Sequence, residues 1–409
     1  MIAGMVIIGA GEAGTQAALT LRENGWTGPI SLISAEGELP YERPPLSKQV
    51  LSDEGAPTAT RILTHDAIEA HDIKFHQGSR VTDVDRLSRQ VRLADGRCIN
   101  YQKLLLATGS NPRRLNVAGV APDKVLYLRN FRDALAIRSR LSAGKEVVVI
   151  GGGFIGLEVA ASARGQGLKV TVLEVAPRLL TRGVPPAIAQ AIADRHHVAG
   201  VKLEYGINVT AITSCDDRHS VILSDGRQID CDCIIAGVGA TPETSIAEKC
   251  GLEVDNGIKT NHHLGTSDPE IFAAGDCCSF PHDLYGGRRI RLEAWRNARN
   301  QGACAARNML GAEERYEVVP WFWSDQYDLT IQIAGLPDEG CEHVIRNMGD
   351  SSLHFHFGGD RRLVAASGLG RVSKIAKEVR IAEMLISRKQ SLDPAAVADP
   401  DFKLRSLLV

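Results

Sequence analysis

Two short glycine-rich segments carry the plainest chemistry in this chain. Gly9-Ala10-Gly11-Glu12-Ala13-Gly14 follows the apolar run Met5-Val6-Ile7-Ile8, and Gly151-Gly152-Gly153-Phe154-Ile155-Gly156 follows Glu-Val-Val-Val-Ile at 146–150. In each, the first glycine permits a tight turn and the second lets the backbone approach a pyrophosphate. The third lets the following helix pack on the strand, and the helix N-terminus offers free N–H groups to the phosphates. One such motif is weak. Two, starting 142 residues apart and each set between a strand-like run and an Ala-rich helical stretch, predict two dinucleotide sites. The alternative is a duplicated unit with one dead site.

The acids that close the next strand refine this. Lys169-Val170-Thr171-Val172-Leu173 ends in Glu174, 23 residues after Gly151, where a carboxylate accepts ribose hydroxyls and repels a 2′-phosphate. That favours NADH over NADPH, with Arg178 and Arg182 downstream keeping the question open. In the first unit the matching slot after Ile30–Ile33 holds Ser34, and the nearest carboxylate is Glu36, either a ribose ligand or a solvated loop acid.

The elements that position these residues fit an ordinary globular chain. Its 409 residues suggest two to three domains, 44% of them are hydrophobic and 23% charged, and the formal charge of −2 implies no nucleic-acid partner. No apolar run approaches the roughly 18 residues that span a bilayer, and the N-terminus lacks a basic leader region. Nine scattered cysteines without a CxxC spacing read as buried thiols of a reducing cytoplasm, and no metal site is expected. Cys231 and Cys233 are expected on one face of one strand. In the tail, Leu329, Ile331 and Ile333 alternate with polar residues, as do Leu353, Phe355 and Phe357. Val372, Ile375, Ala376, Val379, Ala382 and Leu385 then recur at helical spacing, which predicts a small α+β domain. There are no further repeats and no low-complexity linkers.

Further segments complete a series: Pro40-Tyr41-Glu42-Arg43-Pro44-Pro45-Leu46-Ser47-Lys48, Leu104 to Ser110, Gly237 to Pro242, Ile271 to Asp276, Glu293 to Ala298, and Pro320-Trp321-Phe322-Trp323-Ser324-Asp325-Gln326. With the two glycine motifs, the chain resembles, over essentially its whole length, the glutathione-reductase-like flavoproteins. Within them it resembles the NADH-dependent ferredoxin reductases of bacterial Rieske oxygenase and cytochrome P450 systems. Glu293 to Ala298 is closer to the reductases of biphenyl and toluene dioxygenases, with Trp295 where putidaredoxin reductase has a smaller residue. The resemblance implies an α/β fold with two Rossmann-like dinucleotide-binding domains and a C-terminal α+β domain. The discontinuous FAD domain would be 1–108 and 240–316, the NADH domain 109–239, and the last domain 317–409.

It also implies site residues. Gly9, Gly11, Ala13, Gly14, Glu36 and Arg43 would hold FAD. So would Val81, Thr108, Gly109 and Arg129, together with Gly275, Asp276, Glu293 and Trp295. Gly151, Gly153, Phe154, Ile155, Gly156, Glu158, Glu174 and Gly239 would hold NADH. Lys48 would reach the flavin near N5 and pair with Glu158, and Phe154 would shield the flavin face. Trp321 and Trp323 would pack near the flavin or pave the electron exit, or simply belong to the core.

The implied function is transfer of electrons from NADH through FAD to a [2Fe–2S] ferredoxin, in aromatic hydrocarbon catabolism. Between 288 and 307 lie Arg288, Arg289, Arg291, Arg296, Arg299 and Arg307 against the single acid Glu293, a stretch suited to steering an acidic ferredoxin. Rubredoxin is an alternative acceptor. An apoptosis-inducing-factor-like, NADH-responsive protein is another reading, although basic nucleic-acid-binding character is missing. A thiol reductase would need a redox cysteine near Lys48, whereas the first cysteine is Cys98. The pairs His196-His197 and His262-His263 receive no assignment.

Overall fold

A computed structural model describes residues 3–53, 55–119, 123–215 and 218–408. It divides into two compact units. The first comprises Met1–Glu42, Thr60–Asn111 and Thr241–Trp321. The second comprises Arg43–Ala59, Pro112–Ala240 and Phe322–Val409. Each unit contains one of the glycine motifs.

In the first unit, Ile73–His76, Ile30–Ile33, Gly4–Ile8, Cys98–Leu106 and Ile271–Ala273 pair in parallel, and the hairpin Val81–Asp85 and Gln90–Leu93 extends the sheet antiparallel. The strand Gly4–Ile8 is buried along its whole length, as a strand covered on both faces must be. Glu12–Glu23 packs on Trp295–Met309, and Gly302 makes that approach close: a Cβ there would stand 2.1 Å from the Ala13 carbonyl oxygen.

In the second unit, Lys202–Tyr205, Lys169–Glu174, Glu146–Ile150, Cys233–Ala236 and Val125–Tyr127 form a five-stranded parallel sheet in that order. A three-stranded antiparallel sheet of Val209–Cys215, Arg218–Leu223 and Gln228–Cys231 joins it. Cys231 and Cys233 do not share a strand, contrary to expectation. The chain changes sheets between them, and the Asp232 carboxylate accepts the Glu146 N–H at 2.8 Å to fix the corner.

The tail forms a second five-stranded sheet, ordered Trp321–Gln326, Leu329–Gly335, Leu363–Gly370, Ser352–Phe357 and Glu342–Asn347. Helix Val372–Arg388 covers one face. Ile375, Val379, Ala382 and Leu385 are buried there as their spacing predicts, but Val372, at the helix start, is 52% exposed. No helix among the described residues is long and apolar enough to cross a membrane.

Candidate active site

The glycine turns are built alike in both units. Gly9 has φ of 105° and Gly151 of 108°, values that L side chains rarely adopt. A Cβ on Gly9 would meet the Ala107 carbonyl oxygen at 2.1 Å, and one on Gly151 the Gly237 oxygen at 2.4 Å. Gly14 and Gly156 are pressed onto the oxygens of Gly9 and Gly151 (1.9 and 2.1 Å from an added Cβ), which locks helix to strand. The middle glycines differ: nothing lies within 4 Å of a Cβ on Gly11 or Gly153. Both are extended N-caps, and being glycines they leave the first helical N–H groups without a side-chain cap. By contrast, Asn130 closes the helix Phe131–Arg138 with a capping box. Two uncapped helix ends behind glycines with free room on one side fit two pyrophosphates.

In the first unit, Thr108 donates its hydroxyl to the Glu243 carbonyl at 2.6 Å, and Gly109 has φ of 73°. Gly275 donates its N–H to Gln301 Oε1 (2.8 Å), and Asp276 accepts from Ser110 Oγ at 3.0 Å. Glu36 accepts the Tyr41 hydroxyl at 2.5 Å, and Glu293 pairs with Arg291 at 2.7 Å. Trp295 lies under the Arg299 guanidinium, 5.5 Å from the ring centroid, and half-buried Val81 opens its strand. Glu12, unassigned from sequence, is the unexpected residue here. Burial pushes its carboxyl up to about 7, opposed by Arg299 and the Trp295 indole N–H and reinforced by Glu42, and its Oε2 is buried without a hydrogen-bond partner.

The second unit brings Lys48 and Glu158 together. Pro44–Ser47 is a 3-10 turn whose prolines fix the backbone before Lys48. Lys48 Nζ stands 2.9 Å from Glu158 Oε2, which also accepts the Ser47 hydroxyl at 2.5 Å. Ser324 Oγ donates to Glu158 Oε1 at 2.6 Å, so both oxygens of this 5% exposed carboxylate are satisfied. Phe154, one helical turn before Glu158, packs on Phe322 with ring centroids 4.3 Å apart. Arg43 donates to the Arg129 carbonyl oxygen at 2.5 Å. Ile155, at the start of the helix that carries Glu158, is 47% exposed.

Glu174 accepts the N–H groups of Gly152 (2.7 Å) and Ala176 (2.8 Å). Arg178 is spent on the carbonyl oxygens of Leu179, Leu180, Thr181 and Val184. It is therefore committed to the loop and unavailable to a 2′-phosphate. Gly239, with φ of 100°, accepts the Arg113 N–H at 2.9 Å.

The basic stretch is less exposed than its sequence suggests. Of its six arginines, Arg288 and Arg299 are exposed and the other four half-buried. Arg289 donates to the Thr260 and Ser279 carbonyls, Arg291 pairs with Glu293, and Arg307 with both oxygens of Glu314. Arg296 lies over the Trp321 ring at 5.3 Å. Sequence reasoning also missed Ser47, Ser324, Gln326 and His196, because hydroxyls, an amide and a lone ring carry no motif of their own.

Fold and site together give a chain with two dinucleotide-type glycine turns and, in the second unit, the ion pair Lys48–Glu158. The pyridine nucleotide-disulphide oxidoreductase family model matches residues 4–302, and a reductase C-terminal family model matches 321–408. The chain is 39% identical over 410 residues to the ferredoxin–NAD(+) reductase component of an anthranilate 1,2-dioxygenase system of Burkholderia cepacia, covering 98% of each. It is 37% identical to putidaredoxin reductase of Pseudomonas putida, over 99% of this chain and 96% of that one. A rubredoxin–NAD(+) reductase of Pseudomonas putida is 39% identical over 81% of this chain and 86% of the relative. The crystal structure of the covalent putidaredoxin reductase–putidaredoxin complex matches with TM-score 0.93 and 36% identity, covering 99% of this chain and 98% of that chain. The protein belongs to the pyridine nucleotide-disulphide oxidoreductases and, within them, to the NADH-dependent ferredoxin reductases.

Proposed function

We propose that this chain is the reductase of a bacterial oxygenase system, taking electrons from NADH through FAD to a [2Fe–2S] ferredoxin that serves a Rieske dioxygenase or a cytochrome P450. The carrying observation is the duplicated glycine turn with its two uncapped helix ends, in a chain that also pairs Lys48 with the buried Glu158. FAD, when bound, supplies the conversion of a two-electron hydride into single electrons.

The chain's residues bind, orient and tune. Gly9, Gly11, Ala13 and Gly14 cradle the FAD pyrophosphate, with Thr108, Gly109, Gly275, Asp276, Glu36, Arg43, Val81, Arg129, Glu293 and Trp295 along the rest of that cofactor. Gly151, Gly153, Ile155 and Gly156 receive NADH, Glu174 its ribose, and Phe154 and Gly239 its nicotinamide end. Lys48 is the cation that favours the reduced flavin, and Glu158 holds it in place. In this reading 1–108 with 240–316 is the FAD domain, 109–239 the NADH domain and 317–409 the C-terminal domain. The protein works in the cytoplasm, where its nine thiols stay reduced.

The test is NADH-driven cytochrome c reduction with and without an added [2Fe–2S] ferredoxin, with NADPH as control. Strong ferredoxin dependence and NADH preference are expected. Flavin reduction that ferredoxin does not accelerate, with rubredoxin restoring turnover, would move the acceptor to rubredoxin. A kcat far below about 1 s⁻¹ with every carrier would favour an NADH-responsive signalling role.

A further inference from the structure

The strand Trp321–Gln326 presents Phe322, Ser324 and Gln326 on one face by its two-residue alternation. Phe322 meets Phe154, Ser324 meets Glu158, and Gln326 meets His196. Beyond the first contact the polar groups form one unbroken series. Tyr327 Oη lies 3.1 Å from His196 Nδ1, and His196 Nε2 lies 2.9 Å from Gln326 Oε1. Gln326 Nε2 is 3.2 Å from Ser324 Oγ, which is 2.6 Å from Glu158 Oε1. Ser324 and Gln326 are 1% and 2% exposed, and His196 is fully buried.

One arrangement of protons satisfies all four contacts. A carboxylate only accepts, so Ser324 donates to Glu158, and the Gln326 amide nitrogen donates to Ser324. The Gln326 carbonyl oxygen can only accept, so His196 Nε2 carries a proton. Burial pushes the His196 pKa down, with Arg195 adding to the effect against the pull of Gln326. The ring is therefore neutral, its Nδ1 accepts, and Tyr327 donates. Every dipole points toward Glu158, and hydrogen bonds aligned head to tail strengthen one another in a low-dielectric interior.

We propose that Ser324, Gln326 and His196, with Tyr327 at the outer end, are positioning residues that hold the Glu158 carboxylate toward Lys48. This rests on the reading of Lys48–Glu158 as the pair that tunes the flavin. An amide sits in the series, so it orients charge and does not conduct protons.

The experiment compares holoenzyme variants Ser324→Ala, Gln326→Leu, Tyr327→Phe and Lys48→Met for FAD content, visible spectrum, NADH Kd, flavin midpoint potential and the rapid-mixing rate of flavin reduction. Tyr327→Phe removes one hydroxyl and keeps the ring, which guards against variants that fail to fold. Ser324→Ala and Gln326→Leu are expected to slow reduction about 10-fold or more, as for losing a hydrogen bond to a charge, and to lower the midpoint potential with NADH Kd unchanged. Tyr327→Phe is expected to slow it about 2-fold in the same direction. Wild-type rates and potentials in FAD-replete Ser324→Ala, Gln326→Leu and Tyr327→Phe, with Lys48→Met slow, would overturn this inference alone. A wild-type Lys48→Met would overturn the reading of the pair itself, and this inference with it.

Discussion

The Glu174 carboxylate accepts the N–H of Gly152 at 2.7 Å, so the acid that reads the ribose in dinucleotide folds also braces the glycine turn. Its second oxygen holds Ala176, and Arg178 beyond it is tied to four backbone carbonyls. Glu174→Ala should raise KM for NADH about 10-fold, the cost of one or two hydrogen bonds to a charge. It should bring no gain with NADPH through Arg178, which stays committed to its loop, so any gain would fall to the exposed Arg182. A variant that gained NADPH activity in steady-state assays would show that the carboxylate's charge, and not the loop, selects the nucleotide.

Glu158→Ala should slow flavin reduction by NADH at least about 10-fold while FAD stays bound, since it leaves Lys48 without its anion at 2.9 Å. Stopped-flow rates equal to wild type would remove Glu158 from the mechanism.

Glu12 sets a pH dependence of stability. Its folded-state pKa is raised from 4.5 to about 7, chiefly by burial. The native state then holds a proton that the unfolded chain releases between these values, so its contribution is complete below 4.5 and is lost as pH rises through 7. Glu12→Gln should match wild type near pH 4.5 and melt about 2 °C or more higher at pH 8. Equal melting temperatures at both pH values would refute the burial argument.

His354 and His356 act in the opposite sense. Burial holds both near a pKa of about 4, against an ordinary 6.5, and His343 stacks on each, with ring centroids 5.3 and 5.0 Å apart. The unfolded chain takes up protons that the folded one refuses, so stability is full above 6.5 and declines as pH falls toward 4. The double variant His354→Asn/His356→Asn should lose less stability between pH 7 and pH 4.5 than wild type in urea titrations.

Arg288 and Arg299, the exposed members of the basic stretch, should matter most to an acidic ferredoxin. Arg288→Glu should raise KM for ferredoxin about 5-fold at low salt, leave NADH–ferricyanide turnover unchanged, and lose most of its effect at 0.5 M salt. Arg307→Ala should leave ferredoxin kinetics alone and cost up to about 1 kcal/mol of stability through its Glu314 partner, as for a partly exposed ion pair. The reverse pattern would place the docking surface elsewhere.

Local rules made the scaffold legible in the sequence. Glycines at 9 and 151 follow from the positive φ of a tight turn, and those at 14 and 156 from carbonyl oxygens five residues back that a Cβ would meet at 1.9 and 2.1 Å. The tail's alternating strands and helical stripe were readable because burial imposes a period. Lys48 and Glu158 could be paired only through the family resemblance, since 110 residues separate them and neither sits in a pattern that names the other.

The tertiary structure decided what became of groups whose meaning depends on distant neighbours. It turned a stretch of six arginines into one with two exposed members, because Thr260, Ser279 and Glu314, all outside the stretch, supply acceptors that no local count includes. It placed His196, without assignment in the sequence, 2.9 Å from Gln326 in line with Glu158, and it partly buried Glu12, also unassigned, at the head of a helix. Hydrogen-bond direction and desolvation depend on what lies within a few ångströms in space. Backbone conformation and amphipathic period depend on what lies within a few residues along the chain, and those the sequence determines by itself.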